Sequence, residues 1–386
     1  MSAEPRRDLD IDRMLVEVAE AVGLDDYGHP SFRNGLEQLV ASARSGAHLT
    51  PLGEVVLDTT CRSSLTNRLR VTDWSRRHPD VERQPVEKPL FILGLPRTGT
   101  TALSHLLAAD RTNRSLLGWE AGDSIPPPRR ETYDSDPRFE RARNEPSGVE
   151  MLNPGFKAIH YDPPDMPIEC SVLLAQHFQS ATLSVLFNVE AYNAWMIAAD
   201  ATYAYRYHRQ VLQVLQSCFS GRWQLKTPVH CWFLDALVDT YPDARFVMTH
   251  RDPVRVTGSV CSLARALSGT FTDVDHTASI AAQWPEMIAV MLDRVDAFRD
   301  QHGDSRFYDM RYRDLVSDPV GTVRALYDHF DLGWSEDTDR ALREHASVHR
   351  QNRFGEHTYT LEEFGLEADA IRARLSSYLD RFGDYV

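Results

Sequence analysis

The segment Pro89-Leu90-Phe91-Ile92-Leu93-Gly94-Leu95-Pro96-Arg97-Thr98-Gly99-Thr100-Thr101 constrains the fold more than any other part of the chain. A short apolar run that stops at a glycine predicts a buried parallel strand followed by a tight turn. Helical spacing then resumes through Ala102, Leu103, Leu106 and Leu107. In a strand–turn–helix junction of this kind, backbone N–H groups converge on one point and the helix start adds a partial charge of roughly +0.5, so the turn favours an anion. The residues Gly94 to Thr101 read G-x-x-x-x-G-T-T, one position short of the phosphate-loop pattern G-x-x-x-x-G-K-[ST].

That one position matters. Thr100 stands where a nucleotide triphosphatase carries the lysine for the β- and γ-phosphates, and the nearest basic residue, Arg97, lies inside the turn. A second strand–helix unit runs from Ala244 to Thr249, then His250-Arg251-Asp252-Pro253, then a helix from Val254 to about Leu267, with Pro253 suited to a first helical turn. Its strand ends in basic residues where a magnesium-holding aspartate would be needed, so this second landmark is built for an anion. A third strand, Arg306 to Met310, precedes a helix near Pro319 to His329. Strands alternating with helices predict an α/β fold, a P-loop-like parallel sheet flanked by helices. Apolar residues at helical spacing between about Ile11 and Arg77 predict an N-terminal helical cap. The expected organisation is one domain over 1–386: a cap at 1–86, an α/β core at 87–335 with helical insertions at about 123–220, and a C-terminal helical segment at 336–386.

Composition narrows the partners. The formal charge of −14 opposes attraction to nucleic acid or an anionic membrane, so an anionic ligand needs a local basic pocket. The five cysteines, Cys61, Cys170, Cys218, Cys231 and Cys261, form no C-x-x-C pair, which disfavours a disulfide framework and a cysteine zinc site. The N-terminus has no apolar signal stretch, and no run of about 18 apolar residues could span a bilayer. A soluble, cytoplasmic protein is expected. His345 and His349 sit one helical turn apart without the internal glutamate of H-E-x-x-H or an obvious third ligand, so a solvated helix face is expected there and no metal.

These residues resemble the sulfotransferases that use 3′-phosphoadenosine 5′-phosphosulfate (PAPS), whose loop for the donor's 5′-phosphosulfate reads Pro-[Lys/Arg]-x-Gly-Thr-[Thr/Arg]; here it is Pro96-Arg97-Thr98-Gly99-Thr100-Thr101. The family's 3′-phosphate element, an arginine at a strand end and a serine eight positions on, matches Arg251 and Ser259. The chain is most similar to a bacterial branch with an ordered series of motifs. They are Leu225-Lys226-Thr227-Pro228-Val229-His230, Leu234-Asp235-Ala236-Leu237, Tyr241-Pro242-Asp243-Ala244-Arg245 and His250-Arg251-Asp252-Pro253. The match covers about Pro89 to Ser268. A weaker one, Gly355 to Leu366, looks like the branch's C-terminal segment, which packs near the nucleotide.

The resemblance implies roles. Pro96, Thr98, Gly99, Thr100 and Thr101 would cradle the 5′-phosphate, and Arg97 would also stabilise charge on the departing bridging oxygen. Arg251 and Ser259 would hold the 3′-phosphate, with Arg350 and Arg353 as further candidates or else plain surface arginines. Two residues compete as general base. Glu120 lies 23 positions past Arg97, the slot of the glutamate base in several branches. His230 lies two positions beyond Pro228, which occupies the histidine slot of the animal cytosolic branch. Glu120 is preferred, with His230 and Lys226 supporting the sulfuryl group.

On the acceptor side, Met151 to Tyr207 is rich in aromatic residues, and a helical core explains most of them. The remainder points to an apolar pocket near Asp162 to Glu169 and a small or lipid-like hydroxyl acceptor. A P-loop kinase and a non-catalytic PAPS-binding protein are the alternatives. The former would need magnesium-dependent ATP turnover.

Overall fold

The structure, a computed structural model, describes residues 9–144, 163–348 and 358–386. Its centre is a five-stranded sheet in the order β2-β3-β1-β4-β5. The strands are β1 (Leu90–Gly94), β2 (Asn113–Ser115), β3 (Arg222–Lys226), β4 (Arg245–His250) and β5 (Phe307–Arg311), and every neighbouring pair is parallel. The apolar run at Leu90 becomes the central strand, buried at all five positions, and helices cover both faces, as a parallel sheet requires.

Three of these strands follow the sequence expectation. β2 and β3 do not, because neither is an apolar run. β3 reads Arg-Trp-Gln-Leu-Lys, and its polar side chains at Gln224 and Lys226 are buried with partners. Gln224 donates to Ser115 Oγ at 2.5 Å and accepts from Ser104 Oγ at 3.1 Å, the condition on which buried amides are tolerated.

The N-terminal residues form the expected helices, Ile11–Val22, Phe32–Ser42 and Pro51–Arg77. Asp10 accepts from Arg13 N at 3.0 Å and Thr50 from Gly53 N at 3.0 Å, so the first and third begin on side-chain caps. One apolar cluster draws on these helices through Met14, Leu36 and Leu65, on the sheet through Phe91 and Phe246, and on the C-terminal segment through Tyr378 and Phe382. Helices also occupy the expected insertion, at Ala181–Phe187, Glu190–Ala198 and Thr202–Gln216. Among the described residues no helix is long and apolar enough to cross a membrane.

Register decides what happens at the carboxyl edge. Ile92 lies opposite both Lys226 and Val247, and Gly94 opposite Thr249. The ends of β1, β3 and β4 therefore open onto one crevice, the place where parallel sheets bind ligands.

Candidate active site

The loop after β1 is locked to β4. Thr98 is fully buried; its hydroxyl donates to Leu95 O at 2.7 Å and lies 2.6 Å from Thr249 Oγ1. Gly94 has φ 129°, and a Cβ there would sit 2.4 Å from Thr249 Oγ1, so the sharp turn needs glycine. Gly99 has φ 93° beneath the Tyr312 ring, 2.9 Å from where its Cβ would be. The helix Thr100–Ala108 starts immediately after, bringing the N–H groups of its first turn to the crevice. The Thr98 side chain is thus structural.

Arg97, also left-handed at φ 69°, turns toward the second landmark. Its Nε donates to Ser259 Oγ at 3.1 Å, and Arg251 Nη1 donates to Arg97 O at 2.8 Å. Arg251 also stacks on Tyr312, 4.3 Å from the ring centre. Residues 162 positions apart in the chain are joined at one point. A left-handed non-glycine residue costs about 1–3 kcal/mol and is kept where surrounding structure enforces it. Burial, and then the neighbouring Arg251 charge, depress the Arg97 pKa. Two crowded guanidinium groups at a helix start make a strong anion site. The helix Pro253–Ser268 carries Ser259 there, starting on Pro253 with Asp252 accepting from Val254 N at 2.9 Å. The C-terminal segment crosses this helix beside Ser259. The Tyr359 ring packs on Gly258, and its hydroxyl donates to Arg255 O at 2.7 Å. Arg350 and Arg353 lie outside the described residues.

At the end of β3, the fully buried Lys226 Nζ donates to Thr101 Oγ1 at 3.2 Å and to Glu169 Oε1 at 3.0 Å. Glu169 Oε2 accepts from Thr227 Oγ1 at 3.0 Å and from Ser171 Oγ at 3.3 Å. Its segment is laced between two strand ends, with Ile168 N donating to Leu116 O at 2.9 Å and Cys170 N to Lys226 O at 2.8 Å. Sequence reasoning places Glu169 only at the rim of an acceptor pocket. Its partner Lys226 is 57 positions away, so no local spacing marks it.

Neither expected base reaches this cluster. Glu120 is fully buried, with Arg114 Nη1 at 2.9 Å from Oε1 and Nη2 at 2.5 Å from Oε2. Leu117 N and Tyr133 Oη also donate to it, at 3.0 and 3.3 Å. Four donated hydrogen bonds, two of them from the bidentate arginine, leave this carboxylate no face for an acceptor, so the preference for Glu120 is corrected to a structural role. His230 is fully buried as well. Its Nδ1 lies 2.7 Å from Tyr205 Oη and its ring stands edge-on to Phe91 at 4.9 Å. Burial, and then His208, hold its pKa well below the ordinary value. It is a neutral core ring, and its expected support of the sulfuryl group is corrected too.

Beside the loop lies a cavity of about 520 Å³, walled mainly by Ile168, Val185, Leu186, Leu263, Leu267 and Trp284, with Pro96 at one side and Glu169 in its wall. The apolar acceptor pocket expected near Asp162 to Glu169 meets this cavity at Ile168 and Glu169. Among the described residues no group of His, Cys, Asp and Glu is placed to hold a metal ion.

The sequence profile of the sulfotransferase family matches residues 89–336. An omega-hydroxy-beta-dihydromenaquinone-9 sulfotransferase of Mycobacterium tuberculosis is 25% identical over 313 residues, 77% of this chain and 75% of the relative. The crystal structure of a sulfotransferase from Mycobacterium avium superposes with a TM-score of 0.88 at 31% identity, covering 98% of both chains. A second from Mycobacterium tuberculosis gives 0.86 at 32% identity, covering 97% of this chain and all of the other.

Proposed function

The chain belongs to the sulfotransferase family, and from that premise we propose that it takes the sulfuryl group from PAPS and passes it to the hydroxyl of an apolar, lipid-like acceptor. The donor assignment rests on one observation: Arg97, Arg251 and Ser259 meet at the loop after β1. The donor set suits a nucleotide with phosphate at both ends of its ribose, since helix-start N–H groups would take one phosphate and a paired arginine and serine the other. PAPS when bound supplies the sulfuryl group and a good leaving phosphate. The chain supplies position, cationic donors and a dry cavity. On this reading Arg97, Lys226 and the first turn of Thr100–Ala108 stabilise charge on the bridging oxygen.

The acceptor class rests on the cavity beside Pro96, whose wall is almost wholly aliphatic and aromatic. A relative that acts on a hydroxylated dihydromenaquinone supports the same class. Five cysteines without a disulfide suit a reducing cytoplasm, and the apolar cluster shared by cap, sheet and C-terminal segment supports one catalytic unit over 1–386.

Calorimetry with 3′-phosphoadenosine 5′-phosphate tests the donor half. Arg251→Ala is expected to weaken binding by roughly 2 kcal/mol, about thirtyfold, the scale of a charge-assisted hydrogen bond. Unchanged affinity in that variant, or wild-type protein that prefers ATP, overturns the assignment.

A further inference from the structure

We propose that Glu169 is the catalytic base that takes the proton from the acceptor hydroxyl, with Lys226 holding it between the donor loop and the acceptor cavity. This rests on the sulfotransferase reading above. The transfer needs a proton acceptor within hydrogen-bond reach of the incoming hydroxyl. Among the described residues walling the cavity, Glu169 is the single ionisable one. The same wall includes Pro96 of the donor loop, so a hydroxyl in the cavity lies between carboxylate and donor.

The ion pair is asymmetric in a telling way. The Lys226 side chain is 0% exposed and the Glu169 side chain 27%. A carboxylate serving only to neutralise a buried ammonium group gains nothing from an open face, because exposure to water weakens the pair. Oε1 accepts from Lys226, and Oε2 from the hydroxyls of Thr227 and Ser171. A carboxylate has about four acceptor sites; among the described residues three are filled, and the proposal gives the fourth to the substrate. Lys226 in turn reaches Thr101 at the helix start, which couples the base to the place where the donor's phosphate is held.

The step balances without a metal or an oxidant. The acceptor O–H proton passes to Glu169, and the acceptor oxygen bonds to sulfur. The bond between sulfur and the 5′-phosphate oxygen breaks with its electron pair on that oxygen, beside Arg97 and Lys226. Glu169 then gives its proton to water through its exposed side. The products are a sulfate ester, 3′-phosphoadenosine 5′-phosphate and a proton.

The test compares wild type, Glu169→Gln and Glu169→Asp with ³⁵S-labelled PAPS, using 1-hexadecanol and 2-naphthol as acceptors and water, through slow PAPS hydrolysis, as an acceptor-independent readout. Glu169→Gln is expected to lower kcat about 100-fold or more, the usual worth of a general base. Its affinity for 3′-phosphoadenosine 5′-phosphate, measured per folded molecule, should stay within about twofold. Glu169→Asp should recover part of the rate. Turnover of Glu169→Gln near wild type overturns the assignment. So does a parallel loss of nucleotide affinity, which would make Glu169 merely the holder of Lys226. Failure of wild-type protein to bind the nucleotide or to hydrolyse PAPS refutes the parent reading instead, and shows itself before any variant is made.

Discussion

Two glutamate–cation pairs stand near the carboxyl edge of the sheet, and their chemistry differs by access alone. Arg114–Glu120 is closed: the arginine lies among the rings of Tyr133, Phe219 and Trp223, and the carboxylate is fully buried. Lys226–Glu169 is open on its acidic side. Removing one charge from a buried pair leaves the other uncompensated, at a cost of about 3–5 kcal/mol. Glu120→Gln is therefore expected to lower unfolding stability by that amount in urea titrations while kcat per folded molecule stays within about threefold. If Glu120→Gln remained fully stable and lost turnover, the two glutamates would have to exchange roles, Glu120 becoming the base and Glu169 the structural partner. Sequence favours Glu120 by its distance from the loop, and distance along the chain carries no information about which carboxylate the fold seals.

At the scale of elements, the donor half is legible in the sequence because it is local. A strand, a glycine turn and a helix start lie within 13 residues, and Arg251 and Ser259 are fixed by one strand end and the helix that follows. The proposed acceptor half is not legible in this way, because none of the aromatic residues described between 163 and 207 lines the cavity. Its cavity is assembled from Ala181–Phe187, the turn at Pro228, Pro253–Ser268 and Thr277–His302, elements brought together by long-range packing. β3 escapes notice for a related reason: Gln224 and Lys226 are buried by partners on other elements, a condition no window of sequence displays. The assembly of the cavity can be tested separately from the donor site. Ala264, on Pro253–Ser268, lines the cavity more than one helical turn beyond Ser259. Ala264→Phe should raise KM for a long-chain acceptor roughly tenfold, within the 1–3 kcal/mol that pocket shape commonly supplies. Calorimetric affinity for 3′-phosphoadenosine 5′-phosphate should not change. Loss of nucleotide binding in that variant would show the cavity and the donor site to be one space.

The whole molecule buries histidines against its own titration. His177, His208 and His230 all lie in the interior, and burial is the first cause of each depressed pKa, bringing His208 to about 3. His250, against Asp309 and Tyr378, is also lowered by burial. An unfolded histidine takes a proton near pH 6.5, whereas these folded rings keep their neutral form to lower pH, so between the two limits the unfolded chain binds more protons and acidification favours it. For His208, neutral in the fold down to about pH 3, this costs about 1.4 kcal/mol per pH unit below that value, or about 2 kcal/mol at pH 5. Carboxylates with lowered pKa, such as Asp136 and Asp309, lose their contribution only as pH falls toward and below the ordinary carboxylate range near pH 4. The interval from pH 6.5 to 5 therefore belongs to the histidines. With a typical domain stability of about 5–15 kcal/mol, His208 alone would remove about 2 kcal/mol by pH 5, and His230 acts in the same direction. The urea midpoint should fall steadily from pH 7 to pH 5, and His208→Gln should flatten that fall by about one histidine's share. A midpoint that does not move over this interval would mean that the two rings are protonated in the folded protein, and the neutral core beneath Phe91 would have to be redrawn.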